Sequence, residues 1–346
     1  MLTITLRDLQ FRRRQFGIAV VGAAVVFALT LLLTGMSAGL KTEIKTTVDS
    51  VDADSWVVPA GIPGPFSSNV TIPDSTAQAV ADVPGVTAAV PLVRVSHAAE
   101  RPSGAPKQIG VIGMPPGGLG GNDDIPSSAG HAVVSDRLGV DTGDTIQIEG
   151  RRFRVDRIFD GASFFAGVPT VYLTLADAQA VGFGGRPLAS AIVTRGTPDG
   201  PLPAGLAART PSQIETDLRT PVKNAISTIN AIRVLMWLVA ALIIGAVSYL
   251  SAIDRVRDFA VLKAVGGSSR ALAMSLMLQA VLAALLAALV AVGISRLMKP
   301  AVTLPVLFQG TAVLLLLAVA AVVGILSSLV ALRRAIAVDP ALAFGG

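Results

Sequence analysis

At 346 residues the chain could hold two or three soluble domains, yet 52% of it is hydrophobic, 15% charged and 5% aromatic, with mean hydropathy +0.66, the balance of a membrane protein. Its net charge is +5, but the basic residues are scattered or flank apolar runs instead of surrounding aromatic stacking residues, which argues against nucleic acid as a partner. With no cysteine, disulfides, thiolate metal sites and cysteine nucleophiles are excluded, while the redox compartment stays open.

Residues 1–16 form a basic amphipathic segment with Arg7, Arg12, Arg13 and Arg14, followed by an uncharged run over 17–40. A bilayer core needs about 20 apolar helical residues, and this run exceeds an ordinary signal-peptide core without a convincing A-x-A site to close it, so it reads as an uncleaved anchor. Beyond it Leu40, Ile44, Val48 and Val51 continue at helical spacing, which predicts that the helix runs on out of the membrane as a stalk. Gly35 and Gly39 form a G-x-x-x-G in this span, a spacing that permits close helix approach and a dimer contact.

Between residues 41 and 230 proline and glycine punctuate short segments. Strands are expected over 55–58, 88–95, 108–112, 145–148, 153–158 and 170–173, with helical pieces over 75–83, 135–138 and 175–180. Glu149-Gly150 between two of these strands is hairpin grammar. A returning helix opens with a capping box at Thr210 and Gln213, with Pro211 at its first position, and carries Ile214, Leu218, Val222, Ile226 and Ile229 in a stripe. It reads as a second stalk, kinked at Pro221, with a helix packed inside the domain as the alternative.

Three further uncharged runs follow, over 234–253, 271–295 and 311–332. Lys and Arg cluster before span one, at Arg255, Arg257, Lys263 and Arg270 between spans two and three, and at Arg333 and Arg334 after span four; the positive-inside rule makes all three segments cytoplasmic. The fold class is therefore a multi-pass α-helical membrane protein with four transmembrane helices and an α+β extracytoplasmic domain inserted between spans one and two. Its parts are the cytoplasmic segment 1–16, span 17–40, extracytoplasmic domain 41–230, span 231–253, cytoplasmic loop 254–270, span 271–297, outer hairpin 298–310, span 311–332 and cytoplasmic tail 333–346. The expected location is the bacterial cytoplasmic membrane.

Catalytic constellations are missing from the sequence. No G-x-x-x-x-G-K-[ST] occurs, so no Walker lysine is present to hold ATP, and the glycine-rich run 113–121 reads as a loop. Asn122, Asp123 and Asp124 lack EF-hand spacing, and His131, Ser135 and Asp136 are neighbours in sequence, which is no part of triad geometry. The spans hold no Asp, Glu, Lys, Arg or His, the residues that proton relays and ion paths require. Gln279 is expected to hydrogen-bond between helices. Phe164 and Phe165 form a cargo or partner patch if exposed, and strand core otherwise.

The loop 254–268 is the most informative segment. Phe259, Leu262 and Val265 recur every three residues beside Arg255, Arg257, Asp258 and Lys263, and Gly266-Gly267 stops the turn. Such an amphipathic helix lies on a membrane surface or in the groove of a partner. This loop resembles that of the MacB and FtsX type of ABC transporter permease, approximately E-R-x-R-E-I-x-x-L-[KR]-A-[LI]-G-A-[ST], with Asp for both Glu, Phe259 for the aliphatic residue and Gly267 for Ala. The tail Leu332 to Leu342, basic and containing Asp339-Pro340, is similar too.

The resemblance implies a permease subunit that couples ATP hydrolysis by a separate chain to movement of the extracytoplasmic domain, exporting or extracting an amphiphile, lipid, peptide or drug. It makes Arg255, Arg257, Asp258, Phe259, Leu262, Lys263, Val265 and Gly266 the ATPase-coupling residues. No cofactor is expected on this chain; ATP and Mg would sit on the partner ATPase. The expected partners are a cytoplasmic ABC ATPase dimer, a second copy of the chain, the lipid bilayer and an extracytoplasmic protein. The alternative is an FtsX-like signalling scaffold that controls a cell-wall hydrolase and moves no cargo.

Overall fold

The computed structural model describes residues 13–120, 124–160, 163–165, 167–253, 269–298 and 306–336. Two compact units divide the chain. One is helical, from residues 1–38 and 225–346, and the other is strand-rich, over 39–224.

Four helices carry the helical unit: α1 (Arg13–Asp49), whose end beyond Ala38 belongs to the other unit, and, at the far end of the chain, three more described below. In chain order the strand-rich unit contributes β1 (Ser55–Pro59), β2 (Ile72–Pro73), α2 (Thr76–Ala81), β3 (Ala88–Glu100), β4 (Lys107–Met114), β5 (His131–Ser135), a 3-10 turn (Asp136–Leu138), β6 (Thr145–Ile148), β7 (Arg151–Phe159), β8 (Ser163–Phe165), β9 (Val168–Thr174), α3 (Leu175–Phe183), β10 (Leu188–Ala189), β11 (Ala191–Arg195), β12 (Leu206–Arg209) and α4 (Pro211–Arg219). A 3-10 turn (Thr220–Val222) then leads into α5 (Lys223–Ile253), and α6 (Ser269–Met298) and α7 (Gly310–Ile336) follow. Four stretches among the described residues are long and apolar enough to cross a membrane: Phe16–Asp49, Pro211–Ile253, Met274–Met298 and Gly310–Leu329.

The helical unit packs through small side chains. Ala23, Ala24 and Ala28 of α1 meet Ala240 of α5, Ala280, Ala284, Ala287, Ala288 and Ala291 of α6, and Ala320 of α7, with Phe27, Leu31, Ile244, Leu316 and Val323 filling the seams. Lipid is as apolar as leucine, so close van der Waals approach replaces the hydrophobic drive here. At Gly324 a Cβ would stand 2.7 Å from the Val281 Cα. Polar side chains in the spans bond mostly to helix backbone: Thr30 to the Val26 carbonyl (2.9 Å), Thr34 to that of Thr30 (2.8 Å) and Ser327 across to that of Ala241 (2.9 Å). Gln279 is buried and partnered.

Gly35 is closely approached within the chain itself. A Cβ there would lie 2.7 Å from Val306 Cγ1, and the Leu307 N–H donates to the Gly35 carbonyl at 3.1 Å. The chain's own segment before α7 thus lies against Gly35, and Gly39 is buried as well.

In the strand-rich unit, β3, β4, β9, β5, β7 and β6 run side by side and β6 returns to β3, closing a six-stranded barrel. Ile109, Val111, Val134, Ile146, Ile148, Phe153, Val155, Val171 and Leu173 fill its interior. The barrel closes because β3 is long: residues 88–92 of it pair with β11, and Ala99 and Glu100 of the same edge pair with Ile148 and Gln147 of β6. β11, β1 and β12 extend β3 into an open wing. All six expected strands form, and the β6–β7 turn has Glu149 and Gly150 at φ 48° and 74°, the two positive values of a type I′ hairpin. β5, β11 and β12, together with the short β2, β8 and β10, were not foreseen.

The helix of span one runs on to Asp49, and of the two readings of the returning helix the packed one holds as far as Leu218, whereas Ile226 and Ile229 on α5 are only half-buried. Ile44, Val48 and Val51 after span one, and Ile214 and Leu218 of α4, are at most 2% exposed, packed with Trp56, Val58 and Tyr172 in one core. An apolar stripe that leaves the bilayer must find another cover, and here it is the face of the sheet. The capping box is present with both bonds, Gln213 N–H to Thr210 Oγ1 (3.4 Å) and Thr210 N–H to Gln213 Oε1 (3.0 Å). At Pro221 the helix breaks into the 3-10 turn between α4 and α5, as the missing N–H and ring clash demand.

Candidate functional site

The residues read as the coupling helix, Arg255, Arg257, Asp258, Phe259, Leu262, Lys263, Val265 and Gly266, lie outside the described residues, in the segment joining α5 to α6. So does the tail that carries Asp339-Pro340. Phe164 and Phe165 sit in β8, which pairs antiparallel with β9 and sets Phe165 opposite Val168. The structure does not bring His131, Ser135 and Asp136 together as a triad. The His131 Nδ1 lies 2.7 Å from Asp156 Oδ1, whereas the buried Ser135 hydroxyl donates to Asp136 (3.1 Å) and caps the following turn. Asp124 pairs with Arg157.

What the structure assembles instead, within the strand-rich unit, is a pair of buried carboxylates, Glu43 on the end of α1 and Asp217 on α4. Glu43 on α1 is 6% exposed. Its Oε1 accepts from Arg137 Nη1 at 3.0 Å and its Oε2 from the Gly167 N–H at 3.2 Å. Gly167 turns the β8–β9 hairpin at φ 83°, so one carboxylate ties the helix to both that hairpin and the turn after β5. A few residues on, Ser50 accepts from the Tyr172 hydroxyl at 3.1 Å. Burial pushes the Tyr172 phenol up to about 12, with the Ser50 bond opposing the shift.

Asp217 of α4 is 1% exposed. Its Oδ2 accepts from the N–H groups of Phe66 (2.8 Å) and Ser67 (3.4 Å), and its Oδ1 from the Ser67 hydroxyl. A Cβ on Gly64 would fall 2.4 Å from Oδ2, so only glycine lets the loop close over the carboxylate. The Arg94 guanidinium lies 5.7 Å from the Phe66 ring centroid. Burial lowers its pKa, and the nearby Asp217 charge offsets part of that shift. Neither Glu43 nor Asp217 was picked out from sequence. The available signal was a carboxylate flanking an apolar stripe, Glu43 beside Ile44 and Asp217 beside Leu218.

Charge divides between the units. Residues 39–224 hold fifteen Lys and Arg against nineteen Asp and Glu, a formal balance of −4, so the +5 of the whole chain comes entirely from the membrane unit and its flanking segments.

Comparison with known proteins gives two family matches. The MacB-like periplasmic core domain matches residues 16–211 and the FtsX-like permease C-terminal domain residues 230–340. Two ABC transporter permeases of Mycobacterium tuberculosis are 39% and 37% identical over 350 aligned residues, covering 100% of both chains. A chain of Staphylococcus haemolyticus named as a hemin transport system permease protein is 26% identical over 120 residues, 34% of each chain. Among solved structures, the periplasmic region of MacB from Actinobacillus actinomycetemcomitans aligns at TM-score 0.36 and 11% identity, covering 50% of this chain and 96% of that one.

Proposed function

The chain belongs to the MacB/FtsX type of ABC transporter permease, and on that premise we propose that it converts ATP hydrolysis on a partner chain into movement of its extracytoplasmic unit, exporting or extracting an amphiphile. The observation that carries the reading is the double anchorage by Glu43 and Asp217. A helix that shifts in the membrane drags a sheet only if it is fastened to it, and each membrane-connected helix is fastened here by a buried carboxylate bonded to elements far away in sequence. Spans free of ionisable residues suit a transmitter of mechanical work better than a polar alternating-access path.

In this reading the loop 254–268 docks on the ATPase through Phe259, Leu262 and Val265, with Arg255, Arg257, Asp258 and Lys263 framing the contact and Gly266 ending it. ATP and Mg bind the ATPase, both termini of the permease are cytoplasmic, and one coupling loop per chain against two nucleotide sites calls for two copies. The amphiphile class is supported by the relative named for hemin transport, since hemin is a flat apolar ring bearing carboxylates.

Co-expression with the ATPase tests the coupling role. Charge reversal at Arg255, Arg257 and Lys263, or deletion of 259–265, is expected to abolish co-purification and stimulated ATP hydrolysis while the chain still inserts. Retention of both would refute it. Reconstituted complexes that hydrolyse ATP but move no labelled amphiphile would reject transport in favour of signalling.

A further inference from the structure

Arg233 and Trp237 lie one turn apart on α5, and the guanidinium carbon sits 5.6 Å from the indole centroid. Arg233 Nε and Trp237 Nε1 are both buried, and neither has a hydrogen-bond partner among the described residues. Each group only donates: guanidinium has no acceptor, and neither has the indole N–H. The cation–π contact holds them in one arrangement, so two unpaired donors and a positive charge sit together on one turn of α5. An oxygen anion satisfies all three.

Position narrows the anion. Arg233 is the last charged residue before the uncharged run 234–253, on the side of span two that follows the extracytoplasmic unit. That is headgroup depth, where Trp concentrates and Arg extends its charge toward phosphate. Around the pair Ile232, Val234, Leu235, Leu238 and Val239 are 38–57% exposed, an apolar surface ready for acyl chains. A phosphodiester offers two non-bridging oxygens, one for each donor, and a phospholipid brings the chains as well. We propose that Arg233 and Trp237 form a binding site for the phosphate of an anionic phospholipid in the outer leaflet. The site fixes the depth and rotation of span two and stands independently of the coupling reading.

The only other tryptophan, Trp56, is 0% exposed in the core of the strand-rich unit, so quenching by bilayer-borne bromine reads Trp237 alone. The full chain is reconstituted in vesicles of phosphatidylcholine and phosphatidylglycerol in which one or the other carries brominated acyl chains. Brominated phosphatidylglycerol is expected to reach half-quenching at about fivefold lower mole fraction than brominated phosphatidylcholine, the worth of one cation beside an anionic headgroup. Arg233→Gln should bring the two to the same mole fraction, with unchanged quenching by the phosphatidylcholine showing that Trp237 remains in the bilayer, and Arg233→Lys should keep part of the preference. Equal quenching by both lipids in the unmodified chain, or a preference indifferent to Arg233→Gln, would overturn the site. Relief of quenching by inorganic phosphate would reassign it to the free ion.

Discussion

Glu43 Oε1 lies 3.0 Å from Arg137 Nη1, joining the helix that begins as span one to the turn after β5 through a carboxylate that is nearly inaccessible to water. Because the partner arginine is 31% exposed at its side chain, the pair is half screened and falls below the full cost of a broken buried ion pair. Glu43→Ala is expected to cost on the order of 2 kcal/mol, the value of charge-assisted hydrogen bonds, read as faster limited proteolysis of the strand-rich unit. Glu43→Gln should cost less, since it can still accept from the Gly167 N–H. In reconstituted complexes both should loosen ATP hydrolysis from transport; transport as tightly coupled as before would remove Glu43 from force transfer.

At the second anchor the fit of Gly64 over Asp217 makes a non-additive prediction. Gly64→Ala alone should destabilise by about 1–3 kcal/mol through overpacking. Combined with Asp217→Ala it should add little, because the overlapping oxygen is gone. Additive losses in proteolytic protection would show that the two residues do not meet.

Tyr172 gives a pH prediction. Its folded pKa of about 12 stands above the ordinary 10, so the neutral phenol is the form that folding favours. The associated stability is complete below pH 10 and is lost as pH rises through 12, on the order of 2–3 kcal/mol in total. Tyr172→Phe should flatten that part of the stability profile. Tyrosinate absorbance should show one group of the chain's two tyrosines resisting ionisation until the fold opens.

Within the membrane unit, Gly35→Ala sets a methyl 2.7 Å from Val306 Cγ1 and 3.3 Å from the Leu307 carbonyl. Thermal unfolding in detergent should fall by several degrees, and Val306→Ala should restore part of it by removing the nearer atom. If Gly35→Ala leaves unfolding unchanged but lowers the oligomeric state, the glycine serves a contact between copies after all.

Four spans, their order and the inserted α+β unit were legible because each rests on a local signal: uncharged runs of membrane length, proline and glycine punctuation, and period-two strands. Two of the strands that escaped notice, His131–Ser135 and Ala191–Arg195, are short and buried almost throughout. They show no alternation, so nothing in their own pattern separates strand from core helix.

The sequence by itself determined that this chain spans a membrane, carries its chemistry-poor helices through it, and has between spans two and three a basic loop sequence that resembles the permease type. Only the tertiary structure decided that β6 closes onto β3 as a barrel, that Ile44, Val48, Val51, Ile214 and Leu218 are covered by sheet, and that Glu43, Asp217 and Gly35 sit at the closest contacts. Hydrophobic periodicity says that a face must be buried but is blind to what buries it. A carboxylate's partners 94 or 151 residues away in sequence are set by strand order and register, which no local pattern encodes.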